Sequence, residues 1–595
     1  MQKSKKLLQK EEAAVIEEKE ECEMDDQENE PEDEDSEDEE ENNAEGEPPA
    51  KKGKTAKKSP EKSEKEEKPL SENDLLKKKI LKLGEIIRRT KCPKFTQIEK
   101  LEELKAILKG NYAKYVYNHA VSRVIEWMIK LAAEDLTTAI TQELKGTLKN
   151  MARQKYSKHV VVCLITKADK QTFEAILKEL SEDIIKLMLL GTSNSVVTEL
   201  YKKASKEQKQ SLKHSFYGKS FKTFRSKNIL NLKDVGTLSQ TEKDSIFNEI
   251  HDNLSKVIEK STMKSELIVE ILREYLEVME VGNAKHAALV TVLQSNFVEL
   301  EQYKEGAWLA THCLWHSSAK ERKQIMKLVK AKPSLATSAV GYAILVAMMD
   351  CIDDTTLLNK IVLQPLLEDC ETLCGNMYGM KVLSFAIKPR STLFLHPEQI
   401  KFLQEGESNP HSKKDPALRQ KEIKGFAVPL VASKILDNFS AWIQNAHRFL
   451  FIKALVDETD FPEVIKLLEL FTSLLTQPDY KETTEHKGTS SEMLLIEVPF
   501  AQKLAMHLIK EDKRKYAADS SYKPIFCEML VSKIKETPEF WLDSNRGILT
   551  FLCMLETEIP SVTSKLQKIL KPHVLMVQSM TDTSKSAEAL LKLLT

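Results

Sequence analysis

An internal repeat constrains this chain more than any other feature. The strings YNHAVSRVIEWMIKLA, RQKYSKHVVVCLITKA and LLGTSNSVVTELYKKA share one plan: a small or polar entry, two variable residues, two apolar residues, then a helical continuation. With Ser122, Lys158 and Asn194 taken as equivalent, the offsets are 36 and 36, and Ser265 in MKSELIVEILREYL follows 71 later. Weaker copies begin at Ala307, Gly341 and Met380, with degenerate ones around 445–450, 499–504 and 545–548. Apolar residues recur three and four apart from about residue 72 onward, the spacing of amphipathic helices, and no Asn-Gly or Asp-Gly hairpin pair occurs. A helical unit of this length buries its apolar face only against its neighbours. The expected fold is therefore all-α, a solenoid of about ten or eleven stacked repeats.

Charge is segregated along the chain. Residues 11–47 hold 22 Asp or Glu and one Lys, a net of −21 against −2 for the whole chain, so the remainder carries +19. An acidic tail on a basic body suggests a polyanion-binding protein whose tail competes for its own surface. Residues 1–70 have too few apolar side chains to offset the entropy of folding and are expected to be disordered. Lys51, Lys52, Lys54, Lys57 and Lys58 form a nuclear-localisation candidate, favoured over a merely solvated charge run because the body is basic too. Ser36, followed by Glu37, Asp38 and Glu39, fits an acidophilic-kinase site, and an unmodified solvated serine fits equally well.

No stretch of about 18 residues is apolar and free of charge, so no membrane span is expected, and the first residues lack a signal-peptide core. Nine scattered cysteines show no paired spacing, which reads as reduced thiols of the cytosol or nucleus. The expected organisation is a tail (1–70), an array over 71–390, a junction at 391–425 and a second array over 426–595, the two arrays forming a bent or L-shaped molecule. The polar segment around 404–422 is expected as an exposed loop between the arrays, and 476–491 as a surface loop.

Several strings occur in an order that resembles the Puf-A/penguin family of Pumilio-like (PUF) proteins: KYSKHVVVCLI, HSFYGKSFKTF, HCLWHSSAKERK, DCIDDT, YGMKVL, NPHSKKD and WLDSNRGIL. The similarity spans roughly 85–595 and is carried by the ordered set. It implies PUF-like repeats and a C-terminal Puf-like region over 391–595. It also implies a nucleolar protein of ribosome biogenesis that binds RNA or DNA with little sequence preference.

PUF repeats read about one base each with two or three side chains. The two edge-reading positions lie one helical turn apart, with a stacking residue between. In the first cassette these are Ser122, Glu126 and Arg123, and by family analogy a Ser/Glu pair prefers guanine. The others depart from that code: Lys158-His159-Val162, Asn194-Ser195-Thr198, Ser265-Glu266-Val269, Ala307-Trp308-Thr311, Gly341-Tyr342-Leu345 and Met380-Lys381-Ser384. What remains is electrostatics with stacking. Arg153, Lys155, Lys158 and His159 cluster where phosphate could bind. In FYGKSFKTFRSK, Phe216, Tyr217, Phe221 and Phe224 interleave with Lys219, Lys222, Arg225 and Lys227, which suits phosphate contact with base stacking; ordinary packing suits the aromatics as well.

Other constellations are weaker. His312 and His316 lie one turn apart, but no third metal ligand follows at a usual spacing, so a packed helix is expected and no metal or cofactor. Cys370 and Cys374 read the same way, and Asp350, Asp353 and Asp354 read as capping chemistry. Nucleotide-binding and hydrolase motifs have no believable context, so no enzyme is expected. The sequence thus predicts a monomeric nuclear and nucleolar RNA-binding factor, with DNA as a further ligand, acting in large-subunit maturation on pre-rRNA among ribosome-assembly proteins. The rivals are a sequence-specific translational repressor and a HEAT-like scaffold. The scaffold would scatter its Lys and Arg instead of gathering them on one face.

Overall fold

In the computed structural model, every copy of the repeat contributes one helix to a continuous ladder. The structure describes residues 71–131, 134–224, 231–260, 265–443, 445–486, 489–581 and 584–594; the tail and the Lys51–Lys58 cluster lie outside them. The ladder helices are α1 (Glu72–Arg88), α2 (His119–Leu131), α3 (Ser157–Lys167), α4 (Asn194–Lys203), α5 (Glu266–Val278) and α6 (Gly306–His316). They continue as α7 (Gly341–Cys351), α8 (Met377–Ile387), α9 (Ala446–Leu455), α10 (Pro499–Ala518), α11 (Asn545–Leu555) and α12 (Lys585–Leu594). Each packs on the next in chain order, without a break. Shorter and outer helices fill the intervals, so the fold is the all-α repeat solenoid that the period predicts.

Burial follows the sequence pattern. On α2, Val121, Val124, Ile125, Met128 and Ile129 are buried, one stripe whose members each contribute about 1.5–3 kcal/mol when removed from water. Asparagine and serine start several later helices: Asn376, Asn445 and Ser544 accept hydrogen bonds from first-turn amides of α8, α9 and α11, satisfying donors that the helix itself leaves open.

The repeat is exact enough to recur bond by bond. Glu143 accepts from the amides of Gly110 and Tyr112, both at 2.8 Å, and Glu179, one period on, accepts from Gly146 and Leu148, both at 2.9 Å. Gly110 and Gly146 have φ of 78° and 86°, a region that glycine enters without the Cβ penalty. A second signature lies at the ladder-helix starts, where a backbone carbonyl six residues back presses on a small residue. Ser157 Oγ donates to Met151 O at 2.9 Å. At Gly306, Gly341, Gly379 and Gly547 an added Cβ would lie 1.7, 2.3, 2.3 and 2.0 Å from the carbonyl oxygens of Leu300, Leu335, Leu373 and Trp541. This contact makes Gly341 equivalent to Ser157. The cassette of α7 therefore begins at Tyr342, one residue later than the spacing suggested.

Two expected loops are corrected in part; 409–415 is the non-helical, mostly exposed stretch that was expected. The 391–425 segment holds a helix (Pro397–Glu405) and the start of another (Pro416–Asp437), and the stretch between is bound down. Buried Arg322 donates to Leu314 O and Cys351 O, both at 2.9 Å, and to Asn409 Oδ1 at 3.1 Å. Asp353 accepts from the amides of Lys413 and Lys414 and from Arg419. Polar side chains here satisfy buried partners as well as water. Residues 476–491 include most of an antiparallel hairpin, β1 (Lys481–His486) and β2 (Thr489–Leu494), in register from Lys481↔Leu494 to His486↔Thr489. Thr-rich KETTEH lacks the helical period and carries a β-branched pair that suits a strand.

Candidate nucleic-acid interface

Helices α2, α3 and α4 present their cassettes in register. Arg123, His159 and Ser195 are all exposed, while Glu126, Val162 and Thr198 are all half-buried. Lys158 and Asn194 are half-buried too, but Ser122 is buried and donates to His119 O at 2.9 Å within its own helix. The first cassette's edge pair thus reduces to Glu126. Burial raises the Glu126 pKa, against the cations of Lys130 and Arg123. Burial first, then Lys158 and Arg123, holds His159 below the usual imidazole range, so at neutral pH it offers a flat polar ring and no charge.

The basic cluster is partly spent. Arg153 Nη2 lies 3.1 Å from Asp183 Oδ2, a pairing 30 residues apart that spacing on one helix does not reveal. Lys155 is exposed beside Tyr156, with Nζ 5.6 Å from the ring centroid. Tyr156 in turn lies 4.4 Å from His119, centroid to centroid. Between α1 and α2 a groove of about 290 Å³ is lined by Arg88, His119, Arg123 and Trp127. It exists because Gly84 lets the helices close: a Cβ there would meet Val124 at 2.4 Å. Lys130 Nζ sits 5.2 Å from the Trp127 ring. Arg88, Trp127 and Tyr156 are candidate contacts that the cassette reading missed; Trp127 and Tyr156 are aromatics flanking cassettes, whereas Arg88 ends α1, where no cassette was read.

Further along, the charge reverses. On α5, Glu266 lies 3.5 Å from Lys209, and buried Lys213 is held by Glu270 at 2.5 Å and Glu274 at 2.8 Å, lining a cavity of about 610 Å³. Ser265 is buried. The FYGKSFKTFRSK reading is corrected in part: Phe216, Tyr217 and Phe221 are fully buried and not open to bases, with Tyr217 and Phe221 packed against His214. Lys219 and Lys222 are exposed. The Phe224 side chain, Arg225 and Lys227 lie outside the described residues.

The later cassettes offer platforms in place of edge readers. Arg273 stands 4.6 Å over Trp308, Tyr342 stacks on Tyr378 at 5.3 Å, and Lys381 lies 5.0 Å from Tyr342. Thr311 donates back to Ala307 O at 2.8 Å, and Leu345 and Ser384 are buried. Asp354 caps the helix that follows it, accepting from Leu357 N at 3.0 Å, whereas Asp350 pairs with Arg390 at 2.9 Å and Asp353 with Arg419 at 2.7 Å. Cys370 and Cys374 are buried, and burial pushes the Cys370 thiol up to about 11. A third imidazole, His286, joins His312 and His316; it comes from another helix.

Residues 100–381 match the NOP9-like PUF repeat domain and residues 375–521 the CPL (NUC119) domain. Pumilio homolog 3 of Rattus norvegicus is 24% identical over 86% of this chain and 78% of its own length. Protein penguin of Drosophila melanogaster is 25% identical over 44% of this chain and 36% of its own. The crystal structure of human Puf-A superposes with a TM-score of 0.77 at 23% identity, covering 88% of this chain and 100% of that one. A second crystal structure, of human Puf-A in complex with DNA, gives 0.76 at the same identity and coverage. A PUF-repeat domain thus runs into a CPL domain on one unbroken helical ladder, and in this the chain is similar to the Puf-A/penguin PUF-repeat proteins, whose fold it shares.

Proposed function

We propose that this protein binds RNA or DNA through the α1–α4 part of its ladder, by charge and stacking and with little sequence preference. The observation that carries the reading is the registered strip on α2 and α3. Arg123 and His159 hold the same exposed position on adjacent helices, with Lys158 next to His159, while Lys155 lies against the Tyr156 ring and Lys130 against the Trp127 ring. Successive repeats thus gather cations beside flat rings, the arrangement that phosphates and bases of one strand require. A scaffold of HEAT type gives no reason for that gathering, and a sequence-specific repressor would need edge-reading pairs that the buried Ser122, Val346 and Ser384 do not supply. That human Puf-A has been crystallised with DNA supports the same reading.

The cellular role we propose rests on that resemblance and on the Lys51–Lys58 cluster: a nuclear and nucleolar factor that holds pre-rRNA during large-subunit assembly, acting as a monomer beside assembly proteins and without catalysis. Crosslinking bound RNA in cells and sequencing it tests this. Reads concentrated on pre-rRNA are expected. Reads concentrated on mRNA 3′ regions that share one short motif would point to the repressor instead.

A further inference from the structure

Three imidazoles meet in the middle of the ladder. His312 and His316 project from α6 one turn apart, and His286 reaches them from the neighbouring helix Ala284–Ser295. The ring centroids lie 4.5 Å apart for His312 and His316, 4.6 Å for His286 and His316, and 5.2 Å for His286 and His312. One ring nitrogen from each falls within 4.8 Å of the other two, and the Nε2 atoms of His286 and His312 are 2.9 Å apart. His286 and His312 are buried and His316 is half-buried, so the cluster has a dry floor and a way in.

A hydrogen bond between two neutral tautomers accounts for the His286–His312 contact. It does not account for the third ring, nor for the charges around the cluster. Among the described residues, the groups bearing on these rings are each other, His411 and the Arg322 guanidinium, with no carboxylate to favour imidazolium. Burial of His286 and His312 favours the neutral ring. Neutral imidazole is the state that donates a lone pair to a metal. Tetrahedral zinc takes imidazole nitrogen at about 2.0–2.1 Å, which places three ligand nitrogens a little over 3 Å apart, within reach of small side-chain rotations here. Arg322 opposes a nearby cation electrostatically, but its donors are turned to Leu314 O, Cys351 O and Asn409 and not to the imidazole nitrogens.

We propose that His286, His312 and His316 form a transition-metal site, with Zn²⁺ as the ion and water in the fourth position. The metal would clip helix Ala284–Ser295 to α6. It would also fix Trp308, which stacks on His312 at 4.9 Å with 13° between the planes and so holds the stacking position of its cassette.

The test uses the full chain, made without a polyhistidine tag, stripped with a chelator and titrated with Co²⁺ and then Zn²⁺. One equivalent of Co²⁺ should bind with the visible absorption of a four-coordinate site, and Zn²⁺ should displace it and raise the melting temperature. His286→Gln and His316→Gln should each weaken binding by on the order of a hundredfold, while His396→Gln, at an exposed histidine, should leave it unchanged. Circular dichroism shows whether the variants fold; if they do not, the wild-type titration decides alone. Absence of stoichiometric binding to the wild type, or binding that survives in both folded variants, overturns the proposal.

Discussion

Arg153 and Asp183 form an ion pair 3.1 Å long between adjacent repeats, with Asp183 also held by Lys186 at 2.9 Å. That pairing separates Arg153 from the other cations around the second cassette. Arg123 and Lys155 are exposed and Lys158 is half-buried, and among the described residues none of the three makes an ion pair.

The first prediction follows from this separation. R123E/K155E/K158E should weaken binding to a single-stranded RNA at least tenfold, about 1.4 kcal/mol, by fluorescence anisotropy. R153A should weaken it less than about threefold and cost under about 1 kcal/mol of stability, because the pair is partly exposed. K401E/K413E/K421E changes net charge equally at exposed positions away from the strip. Equal losses in the two triple variants would show that only bulk charge matters.

Gly379 tests the repeat-start signature. A Cβ there would lie 2.3 Å from Leu373 O, and neither backbone can yield without shifting the ladder. G379A should cost about 1–3 kcal/mol, the usual range for overpacking, read as a lower melting temperature. Gly425, whose Cβ would meet nothing within 4 Å, sits in a helix, so G425A should be neutral or stabilising. Equal effects at the two sites would refute the signature.

Asp457 gives a pH prediction. Its carboxylate accepts from Lys388 at 2.8 Å, just past α8, and lies 2.9 Å from His507 on α10. Burial opposes its charge, but His507 and Lys388 outweigh burial and hold its pKa below the ordinary value. The folded pKa is thus lower than the unfolded one, about 3.9. The stabilisation is full above that value and is lost as pH falls through the folded pKa. D457N should melt below wild type at pH 7, and the gap should close below about pH 4. A gap independent of pH would contradict the ion-pair account.

The acidic tail should act as a competitor. Its net −21 lies on the same chain as a body carrying +19. Deleting 1–48 should raise RNA affinity and on-rate at low salt, with the difference fading as salt screens the charges. Identical binding across a salt titration would assign the tail another purpose.

Much of this fold was legible because burial imposes a period. The offsets that join Ser122, Lys158 and Asn194 reappear one residue on as the shared exposure of Arg123, His159 and Ser195, and the degenerate copies near 445, 499 and 545 all fall on ladder helices. What was not legible depends on contacts between residues far apart in the chain. Gly341 was misplaced by one residue because its register is set by the Leu335 carbonyl and not by apolar spacing. Asp183 takes up Arg153 from the next repeat. The Asn409–Lys414 segment looks like a solvated loop because its polar groups read alike whether they meet water or Arg322 and Asp353. His286 stands 26 residues from His312, outside any ligand spacing readable along one helix.

The central claim is binding by charge and stacking without a sequence code. It is tested most directly by the affinity of the full chain for a set of unrelated single-stranded RNAs and DNAs, measured over a range of salt. The account predicts dissociation constants agreeing within about tenfold, with log affinity falling steeply and in parallel as log salt rises. One short sequence preferred by about a thousandfold, the margin typical of specific readers, with a shallow salt slope, would contradict it.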